Sequence, residues 1–377
     1  MLRRFAVKNY KNFQERTEID FTAVHNYSFN THCIKDGKLN KVILLGRNGS
    51  GKTNLGLAIF DIVMTLTDNS VNKRQVDQGS YLNGYSNEKE AVFEYEFQQG
   101  DRILKYAYCK SDPRTITQER LEIDGRLIFS RQNENGDYSG LSEYGAGELR
   151  MNMANGPLSV VRYVNANTIQ DPDSPIAFIM DFASHMLYFK SDIEGNAFIG
   201  FGKGELIYDY IINNGLVEDF QKMLKEYAEV DAKLGIVRIP GAPGMFVQEF
   251  NKDRKLIFDT IASTGTSVFA LFYYWYKHLG DIKFLYMDEF DAYYHYEMSE
   301  KIVRLVSGME GFQTVFTTHN ISLLRNNLLR PDCCLQLENG IIASFSDSTD
   351  RELRQGHNLE KMYRNGEFDR QKHIVSD

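Results

Sequence analysis

The chain has 377 residues, 42% of them hydrophobic and 25% charged, enough to bury one large core or two modest ones. Its 13% aromatic content excludes wholesale disorder, and no stretch approaches the 18 apolar residues of a membrane span. A net charge of −8 speaks against a protein that coats nucleic acid, which shows a basic surface. The four cysteines (Cys33, Cys109, Cys333, Cys334) show neither CxxC spacing nor a histidine cluster nearby, so a metal centre or disulfide framework is not expected and a reducing cytoplasm is.

The opening MLRRFAVKNYKNF lacks the apolar middle and cleavage site of a signal peptide and alternates as a strand over 2–9. The apolar run Lys41-Val42-Ile43-Leu44-Leu45 predicts a strand buried on both faces. Residues 52–67 place Leu55, Ile59, Ile62, Val63 and Leu66 on one side of a helix. A polar loop is expected over 68–90, followed by a hairpin of Ala91–Gln98 and Ile103–Cys109. Residues 130–158, rich in Gly, Asn and Ser, read as an irregular excursion; Ile176–Phe189 and Ile207–Val230 read as helices, without a sustained heptad pattern. Beyond 255 the order is a helix at 265–279, the strand Phe284–Met287, a helix near 297–308 and the strand Gln313–Thr318. Strand–helix–strand order implies a parallel sheet with helices on its faces.

Gly46-Arg47-Asn48-Gly49-Ser50-Gly51-Lys52-Thr53 fits the phosphate-loop pattern G-x-x-x-x-G-K-[ST], between a buried strand and an amphipathic helix as the pattern requires. Its glycines let backbone N–H groups turn inward around phosphates, and the helix start adds positive potential. Lys52 is placed to reach the β and γ phosphates of ATP and the Thr53 hydroxyl to bind Mg2+. Phe284–Met287 delivers Asp288 and Glu289 at a strand end, Asp288 for magnesium and Glu289 for the attacking water. The strand over Thr314–Thr318 ends in His319, a candidate reporter of the γ-phosphate. Ser263-Thr264-Gly265-Thr266 opens a helix and offers a second anion-binding helix start.

The order of these motifs resembles the ABC-type ATPase head shared by SMC-like, RecF-like and OLD-family proteins. The resemblance implies an α/β fold, a mixed or parallel sheet flanked by helices with an antiparallel β subdomain. It makes Gly46–Thr53 Walker A, Ser263–Thr266 the signature acting in trans, Asp288-Glu289 Walker B, Asp291 the D-loop and His319 the switch histidine. VKNYKNF at 7–13 looks like the opening of RecF-like heads. Asp288-Glu289-Phe290-Asp291 with His295, Thr117–Leu121 and the tail from Leu353 to Phe368 resemble a stand-alone AAA_15/AAA_21-like subgroup. That subgroup occurs in anti-phage systems of the PARIS, Septu and RloA/AbiL types, where an ATPase works with a separate effector such as a nuclease. The implied partners are therefore a second copy of the chain, an effector and a phage-derived trigger, with DNA left open. The signature reads S-T-G-T rather than S-G-G-Q, and Gln98, Gln99 and Gln170 are all candidates for the Q-loop glutamine.

The expected organisation is 1–110 for the N-terminal half of the core, 111–250 for an inserted helical lobe, 251–345 for the C-terminal half and 346–377 for an extension. No coiled-coil arm is expected between Thr53 and Ser263, and no TOPRIM nuclease is expected in the stretch after His319. Arg351…His357 fits the short R-x(4–6)-H pattern of HEPN ribonucleases, but such patterns recur by chance and no nuclease site is assigned. The expected function is an ATPase whose ATP binding joins protomers head to tail and whose hydrolysis releases them. An ATP-dependent scaffold with little turnover and a RecF-like DNA-repair ATPase are the alternatives.

Overall fold

The computed structural model describes residues 1–68, 81–133, 135–151, 153–190, 197–201, 205–238, 241 and 243–369. Two seven-stranded sheets form its frame. One is antiparallel and runs, edge to edge, Asn135–Asp137, Arg126–Gln132, Thr115–Ile123, Arg102–Asp112, Ala91–Gln99, Leu2–Lys8 and Thr17–Asp20. Its strands alternate buried and part-exposed positions, as in Ala91–Gln99, because one face covers the core and the other meets solvent.

The second sheet runs Ala197–Gly200, Met186–Lys190, Phe284–Asp288, Gln313–Thr318, Lys41–Leu45, Cys334–Glu338 and Ile341–Ser344. Its five central strands are parallel and its two edge strands antiparallel. Lys41–Leu45, Phe284–Asp288 and Gln313–Thr318 are buried along their whole length, which explains their unbroken apolar runs. The parallel register aligns their C-terminal ends, so the residues after Leu45, Asp288 and Thr318 emerge at one edge.

Aromatic side chains weld the two sheets together. On the antiparallel sheet Phe5 packs on Tyr95 and Tyr95 on Phe97; Phe97 in turn meets Phe182, which packs on Phe284 of the parallel sheet. At the far end Gln313 exchanges two hydrogen bonds with the backbone of Leu2. Between the sheets, Asp61 accepts from Lys110 at 2.7 Å, Tyr108 at 3.0 Å and Tyr81 at 2.9 Å, all of them buried.

Several expected elements differ in extent. The expected helix 52–67 is two, Lys52–Ile59 and Asp61–Leu66, meeting at Phe60. Ile207–Val230 is also two helices, Ile207–Asn213 and Val217–Tyr227, separated where Gly215 takes φ 67°. Ile176–Phe189 is a helix only over Pro175–Ser184; Met186–Lys190 is a strand of the parallel sheet. The expected boundary at 110/111 falls inside the strand Arg102–Asp112, and the sheet continues through Thr115–Ile123 and Arg126–Gln132 without a break. Most of the expected loop 68–90 lies outside the described residues. A small sheet of Leu234–Val237, Met245–Glu249 and Lys255–Ile257 leads into the helix Thr264–His278. Among the described residues no helix is long and apolar enough to cross a membrane.

Candidate functional site

The loop Gly46–Thr53 leaves the central strand Lys41–Leu45 and enters the helix beginning at Lys52. Gly49 and Gly51 take φ 75° and 108°, the left-handed region in which a side chain is strained. A Cβ on Gly51 would stand 2.3 Å from Asn12 Nδ2. Asn12 comes from the turn after the first strand; its amide donates to Ser50 O at 3.3 Å and accepts from Asn54 at 2.7 Å. The Ser50 hydroxyl is buried without a hydrogen-bond partner, as befits a loop shaped around an oxygen-rich ligand. Lys52 Nζ donates to Gly46 O at 2.9 Å and lies 2.8 Å from His319 Nε2. Burial lowers its pKa below the ordinary lysine value, and the nearby carboxylates of Glu289, Asp288 and Asp291 oppose that shift.

Asp288 is fully buried, yet both carboxylate oxygens are served. Thr53 Oγ1 donates to Oδ2 at 2.7 Å, Tyr188 OH to Oδ2 at 2.9 Å and Thr317 Oγ1 to Oδ1 at 2.8 Å. The loop hydroxyl and the strand-end carboxylate expected to share magnesium are thus in direct contact. Glu289 turns away from the strand with φ 46°, and its N–H donates to Thr317 Oγ1 at 2.8 Å. Its carboxylate lies 3.6 Å from His319 Nε2 and 3.4 Å from Lys190 Nζ; Lys190 is also 3.7 Å from Asp288 Oδ2. Thr318 Oγ1 donates to Asp291 at 2.6 Å, and burial raises the Asp291 pKa above the usual carboxylate range. Asn48, Glu289, Asp291, Ala292, His319 and Asn320 line an open cleft of about 670 Å3.

The Ser263–Thr266 segment opens the helix Thr264–His278. Ser263 caps its helix by accepting from Thr266 N at 3.2 Å, and a Cβ on Gly265 would meet Tyr293 O at 2.9 Å. The segment therefore lies against the turn after Asp291; among the described residues no hydrogen bond or ion pair joins it to Gly46–Thr53. His295 precedes the helix Tyr296–Ser307, accepting from Ser299 through its backbone.

None of the three glutamine candidates lies in the cleft. Gln98 holds Arg3 and Lys38, Gln99 donates to Asp173 O, and Gln170 is bonded to Tyr144 and Ser174. Tyr188 and Lys190 occupy the neighbourhood instead, on a strand that the sequence reading placed largely in a helix. Arg351 pairs with Glu367 and His357 accepts from Arg354 N, so the two ends of the HEPN-like pattern are engaged with other groups.

A glycine-rich loop, an acidic pair and a histidine gathered at one end of a parallel sheet, beside an antiparallel β subdomain, define a P-loop ATPase domain. Residues 41–325 match the family described as "AAA domain, putative AbiEii toxin, Type IV TA system", and the chain belongs to that family. Among solved structures it is similar to the SMC head domain from Thermotoga maritima, at 12% identity and a TM-score of 0.41 over 91% of this chain and 97% of that one. RecF-ATP, the recombination mediator of the RecFOR pathway, is similar at 12% identity and a TM-score of 0.41, over 91% and 99% of the two chains. No curated protein matches the chain.

Proposed function

We propose that the chain is an ATP-hydrolysing switch whose nucleotide site closes against a second copy. The observation that supports it most is the convergence of Lys52, Thr53, Asp288, Glu289 and His319 at one cleft from three segments of the chain. The unpartnered Ser50 hydroxyl and the left-handed glycines fit a triphosphate, and the Thr53–Asp288 pair fits Mg2+. Magnesium bound there would supply Lewis-acid charge at the phosphates. In this reading Lys52 and the loop amides bind phosphate oxygens, Glu289 orients and polarises water, and His319 donates toward the γ-phosphate. Ser263–Thr266, which among the described residues makes no hydrogen bond or ion pair with its own loop, completes the site of a partner protomer in this reading, with Asp291 beside the junction.

Two measurements test this. Phosphate release by the wild type should fall at least about a hundredfold in Glu289→Gln, in keeping with loss of a group that acts on the attacking water; equal turnover in the two proteins refutes the role of Glu289. Light scattering of Glu289→Gln with ATP should give at least a doubled mass, and a strict monomer sinks the shared site. ATP-stabilised assembly with negligible wild-type turnover would identify a scaffold instead.

At the level of the cell, we read the chain as the regulatory ATPase of an anti-phage or abortive-infection system with a separately encoded effector. The family description, which names a toxin of a type IV toxin–antitoxin system, supports that direction. Loss of phage protection in Lys52→Ala, tested with the neighbouring genes in place, checks it. The RecF-like alternative is distinguished by salt-sensitive DNA binding and DNA-stimulated hydrolysis; the net charge of −8 counts mildly against it, and on the antiparallel sheet Arg4 pairs with Asp20, Arg16 with Glu94 and Arg120 with Glu122.

A further inference from the structure

The end of the strand Met186–Lys190 carries chemistry that the motif order does not predict. Its parallel register sets Lys190 beside Asp288 on the adjacent strand, and Tyr188 two residues earlier points to the same carboxylate. Lys190 Nζ stands 3.4 Å from Glu289 and 3.7 Å from Asp288, with its side chain mostly covered. Two adjacent carboxylates in one cleft repel each other, and a mostly buried ammonium between them offsets that repulsion. Glu289, twisted to φ 46°, has the His319 ring at 3.6 Å and the Lys190 ammonium at 3.4 Å as its ion-pair partners among the described residues.

We propose that Lys190 is the resident counter-cation of the acidic pair: it occupies the electrostatic place of the divalent ion at Asp288, yields it to the metal, and stays on Glu289 as its positioning residue. Metal loading and orientation of the water-activating carboxylate are then one event, since the ammonium cannot serve both carboxylates once a divalent ion holds Asp288. The inference rests on the assignment of Asp288 and Glu289 made above. It adds a lysine that Mg2+ must displace.

The direct test needs no turnover. Mn2+ binding to the nucleotide-free protein is titrated by electron paramagnetic resonance for wild type, Lys190→Met and Lys190→Arg. Removing the competing charge should tighten Mn2+ binding in Lys190→Met by about tenfold or more, while Lys190→Arg, which keeps the charge, stays near wild type. Equal Mn2+ affinity in wild type and Lys190→Met overturns the proposal. So does an equal gain in Lys190→Arg, which would make the effect steric.

A second readout separates positioning from folding. With Mg·ATP, Lys190→Met should lose at least about tenfold in kcat with little change in KM, the pattern of an interaction made only in the transition state, and Lys190→Arg should recover most of the loss. A rise in KM at unchanged kcat overturns the positioning role. A wild type that binds Mn2+ but releases no phosphate would sink the ATPase reading while leaving the metal competition standing, so the two failures are told apart.

Discussion

The buried pair Asp61–Lys110 joins the helices that follow the phosphate loop to the antiparallel sheet, and its removal makes a quantitative test. The two groups are 2.7 Å apart, each with a side chain only 2% exposed. At an effective dielectric constant near 20 their gross attraction is about 6 kcal/mol, much of it offset by the cost of taking both charges out of water. Breaking the pair on one side leaves the other charge buried, so Lys110→Met should cost about 3–5 kcal/mol. Asp61→Asn should cost about as much, because the buried Lys110 ammonium would keep only neutral acceptors, the new amide oxygen and Pro113 O at 3.3 Å, and no counter-charge. The double variant removes both charges and should fall short of the summed costs by about 2 kcal/mol or more. Urea unfolding followed by the fluorescence of Trp275, the single tryptophan, gives the four free energies of the cycle. Additivity within about 0.5 kcal/mol, or a cost below about 1 kcal/mol for Lys110→Met, would refute the view that this ion pair fastens the sheets.

Two further outcomes follow from particular side chains. Lys41 is fully buried against Phe312 O and Thr314, and burial lowers its pKa from 10.5 to about 7. Between those values the unfolded chain holds a proton that the folded one has released, so this lysine makes stability rise with pH from about 7 toward 10.5, by up to about 1.4 kcal/mol per unit. Lys41→Met should flatten that rise in pH-dependent unfolding, and an unchanged slope would contradict it. At Gly56 a Cβ would stand 2.5 Å from the Tyr286 ring and 2.9 Å from that of Tyr188. Alanine favours the helix by about 1 kcal/mol, but overpacking of about 1–3 kcal/mol should win. Gly56→Ala should therefore melt lower and bind Mn2+ more weakly as Tyr188 moves off Asp288, whereas a higher melting temperature would show that the rings give way freely.

Much of the site was legible because its motifs are local. A glycine loop between a buried strand and a helix, or an apolar strand ending in two carboxylates, needs only a few consecutive residues to be recognised, and the structure brings both to the same cleft as His319. Legibility failed where local pattern is ambiguous. Met186–Phe189 is a short apolar run with no polar alternation, which serves equally as the end of a buried helix or as a two-face-buried parallel strand. Reading it as helix hid Tyr188 and Lys190. The break at Gly215 was readable, since Asn213-Asn214-Gly215 is a helix-stop signal, and helical spacing on either side masked it. Asn12 belonged to a recognised opening segment, but its place against Gly51 depends on how two sheets dock, which no stretch of sequence contains.

The hydrogen-bond partners of Asp288 come from 235, 100 and 29 residues away along the chain. Such separations make the site one of the last things a growing polypeptide completes, because each long loop must close before its contact rewards it. A ribosome-bound chain that has exposed Lys52 but not yet Thr317 holds a glycine loop without its acidic pair secured. On the proposed reading, nucleotide affinity would then be a certificate of finished topology, and ATP present during synthesis would favour chains whose five parallel strands have all paired in order over those that have not.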